Sequence, residues 1–429
     1  MTVTGSGASG AERTELPNGL VVCSEPVPGV RSIALGIWVR WGSVHERREE
    51  MGISHLLEHL VFKGSRHRSA HDIALALESR GGALDAYTAR EHTVYQAHFL
   101  DRDLPVAADL LRDLIFEPLL LDADLRLERN VILDELAQVE DTPDDLVFEH
   151  HNGALWGGHP YGYSILGSRE SIGAMTESGV RALHSRAYNP RNVVISAAGS
   201  LTHAGLVRVL LDAGWGSLPD AGGDGNGATR PQPTPKPASR VQIARDLQQT
   251  HLVFGSTTIP MRDPSRPAYL VVNALFGGGM SSRLFQRVRE RLGLAYAVYS
   301  FHSLYSDVGV HGVYVGTGPE TAGRARQAVL DELARLAEEG IPEQELAGGR
   351  QQLIGQYLLS QESVGARMNR LAMRELYKEP FRTVDEVIAR IEGVTPADVL
   401  AVAQAWFAPA RQTIVELGPA QTTPTPTTA

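Results

Sequence analysis

The segment over residues 218–237 constrains the fold of this chain most, because glycine and proline dominate it. Gly-Gly-Asp-Gly-Asn-Gly at 222–227 is followed by Pro-Gln-Pro-Thr-Pro at 231–235. Glycine-rich stretches are flexible and proline-rich ones are stiff, a combination typical of a tether between folded units. The segment divides the 429 residues into halves of similar length, and such a chain exceeds one ordinary hydrophobic core. We predict a first domain over 1–218, a linker over 219–238, a second domain over 239–418 and a disordered tail over 419–429.

Strand-like and helix-like segments alternate in each half of the chain. The first half has predicted strands at 33–38, 84–88 and 93–99 and a predicted helix at 104–115. The second half has predicted strands at 252–254, 295–301 and 311–315 and predicted helices at 282–291 and 321–339. The similar order of elements indicates an α+β unit that is present twice. We therefore predict two similar α/β-sandwich domains, each a mixed or antiparallel sheet covered by helices.

Composition and charge disfavour several classes of function. The net charge of −10 argues against nucleic-acid binding, which needs a basic surface to neutralise phosphates. Cys23 is the single cysteine, so we expect no intramolecular disulfide and no multi-cysteine zinc site, and interpret it as a small apolar residue of an early strand. The first residues lack a signal-peptide pattern, and no apolar run approaches the roughly 20 residues of a membrane span. We expect a cytoplasmic protein that binds neither nucleic acid nor membranes.

The motif that carries chemistry is His55-Leu-Leu-Glu58-His59. In a helix, residues three and four apart share a face, so the leucines of this segment can pack into a core while two imidazoles and a carboxylate project together. Two histidines at i and i+4 can bind one zinc ion at about 2.1 Å each. Glu58, one residue before the second histidine, is placed to take a proton from zinc-bound water.

A catalytic zinc site needs a third protein ligand, and the residues alone leave its identity open. The candidates are several acidic residues and His67, His71, His92, His98, His150 and His151. A predicted helix over 125–139 carries Glu128 and Glu135 on an otherwise apolar face. Two carboxylates there are costly to bury unless they are paired or bind a metal. They would be equally consistent with salt bridges at the margin of that face.

These residues resemble the pitrilysin/insulinase superfamily of inverted zincins, and within it the branch of mitochondrial processing peptidase and its bacterial relatives. The resemblance covers about residues 16–416. It implies one zinc ion per chain, bound by His55, His59 and Glu135, which lies 76 positions after His59. It also implies that Glu128 supports this site and that Glu58 is the catalytic base. The second half contains no such motif, so we expect one metal site per chain.

Two further stretches match the superfamily. Residues 82–93 resemble the strand on which its members lay the substrate as an added β-strand, which implies that Asp85, Ala86 and Tyr87 bind substrate; many relatives have Asn where this chain has Asp85. In the second half, residues 276–296 match closely. From the residues alone, we interpret the three arginines of this stretch, Arg287, Arg289 and Arg291, as part of a solvated helix face. The resemblance instead assigns Arg289 and Tyr296 to the substrate carbonyl near zinc, where a cation and a phenol can stabilise an oxyanion.

The resemblance therefore implies a zinc-dependent endopeptidase that cleaves short or unfolded peptides. In the two-domain branch the Arg289 and Tyr296 pair comes from a partner subunit, which implies a homodimer with its active site completed in trans. One alternative is a non-catalytic scaffold subunit, although such subunits typically lack a metal-site residue and this chain matches all five. Another is an active subunit that needs a zinc-less partner.

Overall fold

The computed structural model describes residues 2–5, by their backbone alone, together with residues 10–220 and 232–420. Most of the predicted linker and tail, at 221–231 and 421–429, lies outside the described residues. Contacts between Cα atoms divide the chain into two compact units. The first contains the described residues up to Ala137, those from Tyr163 to 220, and Tyr357–Asp385. The second contains Gln138–Gly162, Gln232–Gln356 and the described residues from Glu386 onward. The domain boundaries at 218 and 239 stay a prediction.

The first unit is built on a seven-stranded mixed sheet. Its strands, in chain order, are β1 Thr2–Gly5, β2 Glu12–Glu15, β3 Val21–Pro26, β4 Ser32–Val39, β5 Ala83–Thr88, β6 Thr93–Leu100 and β7 Val193–Gly199. Their order across the sheet is β1-β2-β3-β7-β4-β6-β5. The β3 and β7 strands are parallel and the other pairs are antiparallel. Strand β5 is therefore an edge strand.

The second unit is built on a five-stranded mixed sheet with the order β10-β11-β9-β12-β8. Its strands are β8 Arg240–Ala244, β9 Thr250–Thr258, β10 Ala295–Leu304, β11 Gly309–Thr317 and β12 Thr413–Gly418. The β8 and β12 strands are parallel and the other pairs are antiparallel. The order and directions of these five strands repeat those of β3, β7, β4, β6 and β5. The predicted duplication of an α+β unit is thus confirmed.

Fourteen α-helices lie in the described parts of the chain. They are α1 Ile53–Val61, α2 Ala70–Glu78, α3 Leu104–Phe116, α4 Asp122–Asp141, α5 Pro143–Trp156, α6 Arg169–Ala174, α7 Glu177–Ala187, α8 His203–Asp212, α9 Arg266–Gly277, α10 Ala322–Glu339, α11 Glu343–Ser360, α12 Val364–Leu376, α13 Val384–Glu392 and α14 Pro396–Val402. The segments Phe285–Arg291 and Ala403–Phe407 are π-helical. Among the described helices, none is both long and apolar enough to cross a membrane.

Helices cover both faces of each sheet. In the first unit, Ile33, Leu35 and Ile37 of β4 face a core that contains residues of α1, α3, α7 and α8. The alternate residues of β4, Ala34 and Trp38, face α12. In the second unit, α9, α10 and α14 pack on one face of the sheet, and α5 packs on the other. Each unit therefore includes a helix from the other half of the sequence. Strands β4 and β9 are buried at nearly every position, as packing on both of their faces requires.

Candidate metal centre

Helix α1 carries the predicted metal-binding motif and is fixed at its start by a buried carboxylate. Leu56, Leu57 and Leu60 of α1 are buried in the core of the first unit. At its N-terminus, Glu46 accepts hydrogen bonds from the backbone N–H groups of Gly52 and Ser54, each at 2.8 Å. A carboxylate suits this position because it satisfies N–H groups that have no partner within the helix and faces the positive end of the helix dipole.

Gly52 makes the turn into α1 possible. Its φ of 91° lies in the left-handed region, and a Cβ atom there would lie 2.7 Å from the carbonyl oxygen of Leu166. A residue other than glycine would therefore be strained and would collide with backbone. The buried leucines, the Glu46 contact and this turn together fix the face of α1 that projects His55, Glu58 and His59.

Helix α4 brings Glu135 to the two histidines of α1. Nε2 of His55 lies 3.8 Å from Oε2 of Glu135, and Nε2 of His59 lies 3.7 Å from Oε1 of Glu135. The donor atoms of the three residues all lie within 4.8 Å of one another. The other histidines considered as third ligands do not join this cluster in the described part of the chain.

The donor set fits a zinc ion. Two ligands roughly 2.1 Å from one zinc are roughly 3.4 Å apart in a tetrahedral site, and the observed separations of 3.7 and 3.8 Å are close to that value. Burial, helped by the neighbouring His59, lowers the pKa of His55 to about 4. At neutral pH the ring of His55 is therefore neutral, the form that binds a metal. Two imidazoles and one carboxylate are a zinc ligand set that leaves one position open.

Glu128 and Lys63 support the second histidine. Glu128 is buried, and its Oε2 accepts a hydrogen bond of 3.1 Å from Nδ1 of His59. A carboxylate only accepts, so the ring carries its proton on Nδ1 and its Nε2 lone pair is free for a metal. Nζ of Lys63 lies 2.7 Å from the other oxygen of Glu128. By contrast, Nδ1 of His55 is buried and neither donates nor accepts a hydrogen bond among the described residues.

Glu58 lies on α1 between the two histidines and contacts strand β5. Its side chain is buried, and its Oε2 accepts a hydrogen bond of 2.6 Å from the hydroxyl of Thr88. Burial raises the pKa of Glu58, and the hydrogen bond from Thr88 opposes that shift. A buried carboxylate with a raised pKa beside a metal site is suited to take and return a proton.

The residues predicted to bind substrate lie on the edge strand β5. Asp85 and Tyr87 point to the exposed side of the strand and Ala86 to the half-buried side. Oδ2 of Asp85 accepts a hydrogen bond of 3.3 Å from Nε2 of Gln96. The ring of Tyr87 lies 6.4 Å from that of His92 in an edge-to-face arrangement. An edge strand has unpaired backbone groups that a further strand can join.

Arg289 and Tyr296 belong to the second unit. The guanidinium of Arg289 lies over the ring of Tyr296 at 5.4 Å and over that of Phe285 at 4.6 Å. The side chain of Tyr296 is 81% exposed. Arg287 pairs with Glu332 at 3.6 Å, so the arginines of this segment are not uniformly solvated.

Sequence reasoning did not single out Glu46, Lys63 or Thr88. Thr88 lies inside the stretch that matches the substrate-binding strand, but nothing in the sequence places its hydroxyl on Glu58. Lys63 follows His59 by four residues. This helical spacing is the one signal that could have predicted Lys63 to lie near His59 and its partner Glu128. Glu46 gives no signal, because it lies in an irregular segment before α1.

Comparisons with known proteins agree along most of the chain. Residues 21–169 match the family model described as insulinase (peptidase family M16), and residues 174–353 match the peptidase M16 inactive domain. An uncharacterized zinc protease of Streptomyces coelicolor is 39% identical over 93% of this chain and 87% of its own length. The uncharacterized zinc protease YmxG of Bacillus subtilis is 35% identical over 92% of this chain and 95% of its own length.

Solved structures share the fold. A peptidase M16 inactive domain from Pseudomonas fluorescens superposes with a TM-score of 0.89 at 23% identity, covering 96% of this chain and 98% of the other. A protease from Helicobacter pylori superposes with a TM-score of 0.86 at 21% identity, covering 95% and 99%. Identity of 39% over nearly the whole chain, with both family models matched in order, makes this chain a member of the insulinase family of peptidases, family M16.

Proposed function

We propose that this chain is a zinc-dependent endopeptidase that holds one zinc ion on His55, His59 and Glu135. The observation that carries the proposal is the convergence of their three donor atoms within 4.8 Å beside the buried carboxylate of Glu58. Relatives of similar length are named zinc proteases. In the second unit, α9 follows β9 as α1 follows β4 in the first, and the sequence of α9 contains no His, Cys, Asp or Glu, which supports one catalytic metal site per chain.

The chain's own groups supply the acid–base chemistry. A zinc ion in such a site lowers the pKa of a coordinated water towards about 7 and polarises a carbonyl oxygen. Glu58 takes a proton from the attacking water at a carboxylate oxygen and returns it to the nitrogen of the leaving amine. Thr88 orients that carboxylate through its 2.6 Å hydrogen bond. Glu128 holds the tautomer and orientation of His59.

The substrates we propose are short or unfolded peptides bound as an added strand. Among the described strands, β5 lies at one edge of the first sheet and ends at Thr88, the residue that contacts Glu58. A peptide paired with β5 would lie with its backbone along Asp85, Ala86 and Tyr87. Backbone pairing tolerates many sequences, so processing of precursors and clearance of peptides both suit this mode.

We further propose that this chain belongs to the branch of mitochondrial processing peptidase and its bacterial relatives. We also propose that it forms a homodimer in which the second copy supplies Arg289 and Tyr296. The stacking of Arg289 over Tyr296 at 5.4 Å and the exposure of the phenol support a pair that acts together on a group outside its own unit. Because one chain carries both the metal ligands and this pair, two identical chains suffice. A cytoplasmic location stays part of the proposal.

Substitution Glu58→Gln tests the central proposal. It keeps the side chain's size and its contact with Thr88 but removes the proton acceptor, so we expect kcat to fall at least about a hundredfold with unchanged zinc content. Cleavage of a library of unstructured peptides, followed by mass spectrometry, measures the loss. The matched control is Glu78→Gln, an exposed carboxylate at the end of α2. Wild-type rates in Glu58→Gln would overturn the assignment of the base.

A further inference from the structure

A second group of potential metal ligands lies beside the loop that follows α1. His67 is on that loop, Asp113 is on α3, and Glu117 directly follows α3. One donor atom of each lies within 4.8 Å of the other two. None of the three has a part in the proposed hydrolysis. We propose that they form a second divalent-cation site, which binds a zinc-like transition ion.

The spacing of the donors suits such an ion. Nε2 of His67 lies 3.4 Å from Oε2 of Glu117, the separation of roughly 3.4 Å that two ligands of one tetrahedral zinc adopt. The backbone N–H of Glu117 donates to the carbonyl of Asp113 at 3.0 Å. The two carboxylates are therefore one helical turn apart on the same face, where they can bind the same ion.

Two carboxylate oxygens at this place have no hydrogen-bond partner. Asp113 is buried, with 1% of its surface exposed, and its Oδ1 accepts no hydrogen bond among the described residues. The same holds for Oε2 of Glu117, which is also buried as an atom. Buried acceptors without a partner are costly. Since Oε2 of Glu117 lies 3.4 Å from Nε2 of His67, a cation bound between these two residues would remove the cost at Glu117.

The other oxygen of each carboxylate is already held in place. Nη1 of Arg68 donates to Oδ2 of Asp113 at 2.8 Å, and the hydroxyl of Ser65 donates to the same oxygen. Nη2 of Arg112 lies 2.9 Å from Oε1 of Glu117. These contacts orient both carboxylates, so less side-chain freedom is lost when an ion binds. The positive charges of Arg68 and Arg112 act in the opposite direction.

The loop that carries His67 is attached to the end of α3. The backbone N–H of Arg66 donates to the carbonyl of Glu117 at 2.9 Å, and that of Leu119 donates to the carbonyl of Gly64 at 2.9 Å. Both bonds attach residues just before His67 to the end of α3, and they fix the loop backbone next to Glu117. His67 itself has a side chain that is 60% exposed, so an ion can reach it from solvent.

The surrounding charge sets the expected strength and selectivity. Arg68 and Arg112 neutralise the two carboxylates, and Nη1 of Arg66 lies 3.9 Å from Oε2 of Glu117. Binding of a dication is therefore weaker here than at the site formed by His55, His59 and Glu135. An imidazole ligand favours zinc over magnesium, which prefers an all-oxygen shell and keeps its waters.

Zinc binding by the full-length protein tests this site independently of catalysis. Chelator-stripped protein is titrated with Zn²⁺, and bound metal is measured by equilibrium dialysis and mass spectrometry. We expect two equivalents in the wild type, the second weaker than the first, and one equivalent in His67→Ala. His59→Ala should lose the stronger equivalent and keep the weaker. Occupation of the second site should also raise the thermal unfolding midpoint of wild type but not of His67→Ala.

Two further variants separate a built site from adventitious binding. His71→Ala removes a nearby exposed histidine outside the cluster and should retain both equivalents. Arg66→Ala removes a competing positive charge and should raise the second affinity by about two- to fivefold. Saturation of the wild type at one equivalent, two equivalents in His67→Ala, or loss of an equivalent in His71→Ala would each overturn the proposal. Unchanged or weaker binding in Arg66→Ala would likewise overturn the proposal, because the spacing that suits an ion is measured from Oε2 of Glu117, the oxygen that Arg66 approaches.

Discussion

The hydroxyl of Thr88, at the end of the edge strand β5, donates a hydrogen bond of 2.6 Å to the carboxylate of Glu58 on α1. This contact joins the strand proposed to bind the peptide to the residue proposed to move the proton. A peptide that pairs with β5 would therefore adjoin the hydroxyl that contacts Glu58.

Thr88→Val should lower kcat by about tenfold, because it removes a hydrogen bond to a charged group while keeping the shape of the side chain. We expect KM to change less, since the backbone of β5 stays in place, and zinc content to remain at the wild-type level. Steady-state kinetics on one unstructured peptide, with metal analysis of the same sample, gives all three values.

The conservative variant Thr88→Ser separates orientation of Glu58 from packing. It restores the hydroxyl without the methyl group, so kcat should return to within about threefold of the wild type if the hydrogen bond is what matters. A loss of kcat in Thr88→Ser, together with a wild-type kcat in Thr88→Val, which keeps the methyl group, would instead show that the methyl group, and not the hydroxyl, supports the site.

Glu128→Ala should weaken zinc binding by about ten- to a hundredfold, as loss of a carboxylate behind a ligating histidine commonly does. It frees Nδ1 of His59 from its 3.1 Å hydrogen bond and leaves the ammonium of Lys63 without its 2.7 Å partner. Competition with a fluorescent chelator measures the affinity. Asp134→Asn is the matched control, because Asp134 lies on the same helix but is exposed. A wild-type affinity in Glu128→Ala would contradict the supporting role.

Glu46→Ala should destabilise the first unit by about 2 kcal/mol, because two buried N–H groups, those of Gly52 and Ser54, lose their acceptor. Burial raises the pKa of Glu46, and the hydrogen bonds from Ser54 and Gly52 lower it. Burial is the larger effect, and the resulting pKa is about 7. Its value in the unfolded chain is about 4.3. The folded state therefore holds the proton more tightly, and the stability that Glu46 contributes is largest at low pH and declines as the pH rises through about 7.

The destabilisation by Glu46→Ala should accordingly be larger at pH 5 than at pH 8. Thermal unfolding midpoints of the wild type and the variant at both values test this, and the comparison cancels the titration of groups that both proteins share. Glu49→Ala, which removes an exposed carboxylate of the same segment, should leave the midpoint unchanged at either pH. An equal destabilisation at both pH values would mean that Glu46 is charged in the folded protein throughout this range.

The parts of this molecule that sequence could predict are those with local periodicity. The spacing of His55, Glu58 and His59 follows from one helix, and the order of strands and helices predicts the duplicated unit. Glu135 could not be chosen from the residues alone, because its position beside α1 depends on how α4 packs. The family resemblance supplied that long-range information.

Contacts between distant segments account for most of what was missed. Thr88 meets Glu58 across thirty positions of the chain, and no pattern within either segment encodes that pairing. Likewise, the apolar face of α12 shows that the helix buries one side, but not that it packs with Trp38 and Val194 of the first sheet. Such partners are set by tertiary packing, which amphipathic patterns do not specify.

Complementation between inactive variants tests whether Arg289 and Tyr296 act in trans. Glu58→Gln lacks the base and Tyr296→Phe lacks the phenol, so each homodimer alone should be nearly inactive. In a mixed dimer, the chain with an intact Glu58 would receive Tyr296 from its partner and form one complete site. After random exchange, half of the dimers are mixed and each has one complete site of two, so about a quarter of the wild-type activity should return, with kcat measured per chain.

If Tyr296 instead acts on the metal site of its own chain, every chain in the mixture has a defect and no activity returns. The same outcome follows if the protein does not exchange subunits, so exchange is first verified by native mass spectrometry of differently tagged chains. Arg289→Ala in place of Tyr296→Phe should complement Glu58→Gln equally well, because the guanidinium and the phenol lie 5.4 Å apart and would reach the same site. Recovery with one of the two variants but not the other would show that the pair does not act together.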